Sequence, residues 1–169
     1  MAGTILEFFN SFGIYGILLL FVIWFIQVKI YYIPNISGEW ETILIYKQTD
    51  YNPYKNMKVK YKLFINQNNN FITIKGEKYF EELKNGQFKE YQGNEKTFSE
   101  YDGYIKRGFM NHSLLLNIKE NGQERIVAGQ FNIKIISPNN LLKGTFSRQD
   151  ANSKGIVIVN KIYGQLHNN

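Results

Sequence analysis

No cysteine occurs anywhere in the 169 residues. That excludes a disulfide framework, a thiolate metal site and a cysteine nucleophile. Histidine is nearly as scarce: only His112 and His167 are present, and His167 stands beside the C-terminus. A zinc hydrolase or a histidine-based triad has almost nothing to draw on. No phosphate-cradling glycine loop, metal box or nucleophile elbow is found either. Glu81 and Glu82 are adjacent, so on one regular element they point apart and offer no carboxylate pair for acid–base work. The expectation is a protein that is not an enzyme, with no catalytic residue, metal or cofactor.

Charge is missing from one stretch as well. Between Glu7 and Lys29 there are 21 residues without an Asp, Glu, Lys or Arg. As a helix they would reach about 30 Å, the thickness of a bilayer's hydrocarbon core. The central run from Ile14 to Ile26 is apolar on every side, whereas a buried soluble helix usually keeps a polar stripe. Trp24, Tyr31 and Tyr32 sit toward one end, as an interfacial aromatic belt would. No basic segment precedes the run and no small-residue cleavage site follows it, which predicts a retained anchor over residues 1–33. The basic residues all follow the run. By the positive-inside tendency, a single-pass protein in the inner (cell) membrane would then hold residues 34–169 in the cytoplasm.

All 20 basic side chains and 13 of the 14 acids fall in residues 29–169, leaving that part at +7. Such a surface suits an anionic partner such as a nucleotide, a nucleic acid or an acidic lipid, and it equally suits a solvated lysine-rich exterior. Past the breaker cluster Pro34-Asn35-Ile36-Ser37-Gly38 the hydrophobic period becomes two. Met57, Val59, Tyr61, Leu63 and Ile65 share one face, and Lys58, Lys60 and Lys62 share the other. Seven further runs alternate in the same way, at 38–47, 70–76, 98–106, 112–119, 125–135, 141–148 and 155–162. Turn-forming residues separate them. The predicted fold class is all-β: a small eight-stranded up-and-down antiparallel barrel, which leaves no exposed edge, with one N-terminal transmembrane helix. The connection 77–97 is long for a hairpin, and Tyr79-Phe80-Glu81-Glu82-Leu83 within it reads as one helical turn in a binding loop.

Alternating strand direction from the membrane end brings the loops 48–55, 77–97, 120–124 and 149–154 together at the far end. There Arg148 shares a face with Leu142, Gly144 and Phe146. Arg125 shares one with Val127, Phe131 and Ile133, and Tyr46 shares one with Trp40, Thr42 and Leu44. A one-residue slip in register would turn both arginines outward. If they point inward, each needs a partner. A phosphate matches the guanidinium fork, and Tyr46 and Tyr61 could stack on a base. The competing readings are that each arginine reaches water at a strand end, or pairs with Glu124 or Asp150. The third arginine, Arg107, falls at the opposite rim, near the lipid headgroups. Trp40 reads as a core plug at the closed end.

Gly38-x-Trp40 at the start of the first strand is similar to the opening of calycin (lipocalin-like) barrels. With Leu142-x-Gly144-x-Phe146-x-Arg148, then Gly155-x-Val157-x-Val159, and a membrane helix directly before a short barrel, the chain resembles the transmembrane β-barrel effectors of bacterial CBASS anti-phage systems. The resemblance covers residues 12–162 in architecture, but specific residues only in the first and the last two strands. It implies a barrel that senses a cyclic di- or trinucleotide made by a partner CD-NTase. Binding would drive homo-oligomerisation, membrane disruption and death of the infected cell. Those effectors carry two membrane helices and this sequence offers one, which bears on the disruption step. Two alternatives remain open: a membrane-tethered calycin-like carrier for a lipid or other hydrophobe, and a structural adaptor barrel with a filled interior.

Overall fold

A computed structural model describes residues 2–27, 32–108, 111–121 and 126–163, with side chains on the helix from residue 13 onward. The helix α1 spans Ala2–Ile26. Nine strands follow: β1 (Gly38–Gln48), β2 (Lys58–Asn68), β3 (Phe71–Glu82), β4 (Phe88–Glu90), β5 (Thr97–Lys106), β6 (Ser113–Asn121), β7 (Ile126–Ser137), β8 (Leu141–Arg148) and β9 (Lys154–Lys161). Eight of them close antiparallel in the order β2-β1-β9-β8-β7-β6-β5-β3, and β2 pairs with β3 to complete the ring. Each strand neighbours the next in the chain and β9 returns to β1, so the barrel is an up-and-down meander, as the alternation predicts.

The alternation also sets which side chains fill the barrel. Trp40, Thr42, Leu44 and Tyr46 point inward from β1, and Val59, Tyr61, Leu63 and Ile65 from β2. Across the ring Leu114, Leu116, Phe131, Ile133, Leu142, Phe146, Val157 and Val159 meet them, all buried. The described interior is tightly packed: a cavity lined by Thr42, Leu63, Tyr101 and Phe131 among others holds about 10 Å³, room for roughly one water. Closing so small a ring needs close strand approach. At Gly144 a Cβ would sit 2.0 Å from the Asn132 carbonyl oxygen, and at Gly155 one would lie 2.1 Å from that of Ile45 and 2.7 Å from the Phe146 ring. Only a residue without a side chain fits such bends.

Both ends are stoppered. At the start of β1, Ile36 and Trp40 are wholly buried, and the Trp40 indole N–H donates to the Ile36 carbonyl at 2.8 Å. Gln67 holds the same segment, accepting from the Ile36 N–H and donating to the Pro34 carbonyl. Trp40 is therefore the core plug expected of it. Lys161 lies 4.7 Å from the Trp40 ring and donates to the Ser37 carbonyl.

Two features depart from the sequence-based expectation. Tyr79–Glu82 is not a helical turn. It continues β3, pairing with both β2 and the short β4, with a bulge opposite Lys60 and Tyr61. The run extends because its aromatic rings find partners along the strand: Lys60 lies 4.9 Å over Phe80, and Phe80 stacks on Phe88. The second concerns α1. Among the described residues no helix is long and apolar enough to cross a membrane. The expected transmembrane span therefore does not follow from the structure. Residues 13–26, where side chains are described, amount to about 21 Å of helix.

Candidate functional site

Arg148 ends β8 facing inward, as its place two residues after Phe146 requires, and it is 5 % exposed. A buried guanidinium must be paired. Here Nε donates to the Asp150 carboxylate at 3.0 Å and Nη1 to the Tyr61 hydroxyl at 3.3 Å. Of the readings open for this arginine, pairing with Asp150 is the one the geometry realises. The loop after β8 makes this possible by folding back over the rim. Its turn Asp150–Asn152 places Ala151 and Asn152 at φ near +48° and +47°, a region non-glycine residues rarely enter. The bend is held by the Ala151 carbonyl, which accepts from the Asp50 N–H at 2.8 Å, and by the Ser153 hydroxyl on Thr49.

The two tyrosines expected to stack on a base are core residues. Tyr46 is 2 % exposed and packs edge-on against Phe146 at 5.1 Å, with Tyr54 at 5.9 Å on another side. Tyr61 is 1 % exposed, and its hydroxyl serves Arg148. Neither ring presents a free face. Arg125 and Glu124 lie outside the described residues. The far rim thus joins Arg148 to Tyr61, with Tyr46 nearby against Phe146, in a filled and internally satisfied arrangement rather than an open mouth.

The open volume lies on the outside. A groove of about 760 Å³ crosses the outer faces of β5 to β9 and the end of β1. A second, of about 520 Å³, adjoins it beside Arg148, and the two share Asn117, Gln130, Ser147 and Lys154. These four form one rung: Asn117 faces Gln130, Gln130 faces Ser147, and Ser147 faces Lys154 on successive strands. The next rung places Tyr104, Leu115, Asn132, Thr145 and Ile156 side by side. Gly103 and Gly155 also line it, at points where the neighbouring strand's backbone leaves no room for a Cβ.

Amides and hydroxyls on adjoining strands give a dense set of donors and acceptors without fixed charge. Lys47 and Lys154 supply the charge at one end, and neither has an ion-pair partner among the described residues. Such a surface can hold an anion through the lysines and read a polar ring edge through Asn117, Gln130 and Asn132.

A different outer face, on β2, β3 and β4, interleaves lysine with aromatics: Lys62 over Tyr79, and Lys78 and Lys89 over Tyr91. Four of its lysines are paired with carboxylates, Lys58 with Glu82, Lys78 with Glu81, Lys89 with Glu95 and Lys96 with Glu77, while Lys60 and Lys62 lie over the Phe80 and Tyr79 rings. Tyr79 donates to Glu41; burial, then that carboxylate, push its hydroxyl's pKa up. This face is committed to its own contacts. Among the described residues no group of three His, Cys, Asp or Glu could hold a metal ion.

Sequence reasoning singled out the rim and missed the groove. A signal was there: outward positions on β6–β8 that carry Asn, Gln, Ser and Thr where the exposed face of β2 carries Lys.

No protein-family model, curated protein or solved structure matches the chain. The resemblance to the CBASS barrel effectors rests on the residues quoted for it.

Proposed function

We propose that this chain is a membrane-anchored receptor for a small anionic ligand of the cyclic di- or trinucleotide class, bound in the outer groove over β6–β9. The observation that carries the reading is that groove, polar throughout its shared rung and charged by two unpaired lysines. Its volume falls within the ordinary range for small-molecule sites, about 300–1,000 Å³. The small described interior cavity, about 10 Å³, favours the outer face over the inside of the barrel for such a ligand. The anchor is supported by α1, where Ile17, Leu18, Leu19, Leu20 and Phe21 are each 60–70 % exposed. An apolar surface of that kind needs a cover, and a bilayer would provide one for the uncharged run between Glu7 and Lys29. In the effector role, a partner CD-NTase would supply the ligand, and its binding would drive oligomerisation that disrupts the inner membrane.

The test is calorimetric titration of the full chain, in a mild detergent, with a panel of cyclic di- and trinucleotides and linear controls. One cyclic ligand should saturate, weaken with added salt, and lose roughly ten-fold in affinity for each of Lys47→Glu and Lys154→Glu. No saturable binding across the panel by folded protein would end this reading. A second reading, an adaptor barrel with no small ligand, is favoured by the same tightly packed interior and would then stand. The hydrophobe-carrier reading is not favoured by the described interior cavity of about 10 Å³.

A further inference from the structure

Besides the groove, the barrel carries a second unneutralised cationic surface, at the rim where β1 begins. Lys106, at the end of β5, pairs with Ser113, Ser113 with Lys134, and Lys134 with Lys143, so three lysines lie on one rung of four strands. All three are exposed and point outward, alternating with the buried Ile105, Ile133, Ile135 and Leu142. Arg107, also exposed, follows Lys106 in the chain. Lys134 and Lys143 stand directly opposite each other, a placement in which like charges repel. None of the four cations has an ion pair with a carboxylate among the described residues. The fold therefore leaves this rung to an external anion.

What kind of anion follows from the surroundings. Ile136 lies beyond Lys134 toward the same rim and is 56 % exposed, and Tyr163 is 66 % exposed there, its hydroxyl donating to the Asn139 carbonyl. Cations interspersed with projecting apolar and tyrosyl side chains fit a lipid interface, where charge meets headgroups and rings enter the acyl boundary. A nucleic-acid site would pair its lysines with stacking platforms along a strand path. The rung is also at the end of the barrel where β1, the strand that follows α1 in the chain, begins.

We infer that the rung Lys106–Lys134–Lys143, with Arg107, is a docking surface for anionic phospholipid headgroups that seats the barrel on the bilayer. The rung adjoins the groove's Leu115–Asn132–Thr145 rung, while the groove's own lysines, Lys47 and Lys154, stand toward the other rim. The inference takes from the anchored reading only the presence of a bilayer near this rim.

The test uses the full chain with vesicles of neutral phosphatidylcholine, or with about 30 % phosphatidylglycerol added. Flotation reports binding, and lysine acetylation read by mass spectrometry reports protection. On anionic vesicles Lys106, Lys134 and Lys143 should be acetylated about three-fold more slowly or less than on neutral ones. Lys47 and Lys154 should be unchanged, and the difference should vanish at about 0.5 M salt. Equal labelling on both vesicle types, with the chain floating on both, overturns the docking surface and leaves the anchor standing. Flotation on anionic vesicles alone, with the rung protected, supports docking and removes the anchor. Protection of all lysines alike overturns the inference. So does protection of the rung by a single-stranded oligonucleotide but not by vesicles. Lys134→Ala/Lys143→Ala should fold normally and lose the difference between vesicle types.

Discussion

Replacing Asp150 with alanine tests the assignment of Arg148 to the structure of the rim. The side chains of Arg148 and Asp150 are 4 % and 7 % exposed, so the carboxylate is a neighbour that solvent cannot replace. Removing it strands a buried guanidinium, which costs about 3 kcal/mol or more. The bond to the Tyr61 hydroxyl survives and offsets part of that, so the lower end of the range applies. For a domain of this size, with a urea slope of about 1.5 kcal/mol/M, the unfolding midpoint should fall by about 2 M. The measurement is urea unfolding of the full chain in a mild non-ionic detergent, followed by the fluorescence of the buried Trp40. Arg148→Met/Asp150→Ala removes both charges, keeps most of the volume, and should recover most of the loss. Glu82→Ala, at the exposed pair with Lys58, should move the midpoint by no more than about 0.3 M. An Asp150→Ala midpoint within about 0.3 M of the parent would refute the reasoning, because Arg148 would then be satisfied without that carboxylate.

Three further outcomes follow from the same geometry. Thr42→Val should stabilise the barrel by about 1 kcal/mol in the same assay, because the buried Thr42 hydroxyl has no hydrogen-bond partner beside a cavity of about 10 Å³. Gly144→Ala should destabilise by about 3 kcal/mol or prevent closure, since its Cβ would meet backbone at 2.0 Å; a normal midpoint would show that the strands can separate there without loss. His112 is held neutral by burial and then by the Arg107 charge, so its folded pKa lies below the usual 6.5. The unfolded chain then binds the proton more readily, and stability should decline as pH falls below about 6.5 toward the folded pKa. His112→Gln should flatten the urea midpoint over that interval.

The strands were legible because most inward positions of a barrel this small are apolar, so the period of two persists through Val59-Lys60-Tyr61-Lys62-Leu63 and its counterparts. The facing of Arg148 was legible for the same reason, being in phase with Leu142 and Phe146. Its partner was legible only as one of several options, because the return of Asp150 depends on a left-handed turn at Ala151 that alanine does not announce. The extension of β3 through Tyr79–Glu82 was hidden because both strand faces there are half-buried against the β4 hairpin and break the alternation. The groove was hidden more deeply. Its rungs run over outward polar positions of consecutive strands that read as an ordinary solvated face, and only ring closure brings Gln48 of β1 beside Lys154.

The account's central claim is that the ligand sits on the outer face of a tightly packed barrel. The direct measurement is photo-cross-linking of the full chain with an azido-substituted cyclic dinucleotide, followed by peptide mapping. The account predicts adducts within residues 115–132 and 145–156, suppressed by excess unmodified ligand and by Lys154→Glu. Adducts on Tyr46, Tyr61 or other inward residues, or labelling that the unmodified ligand does not suppress, would contradict it.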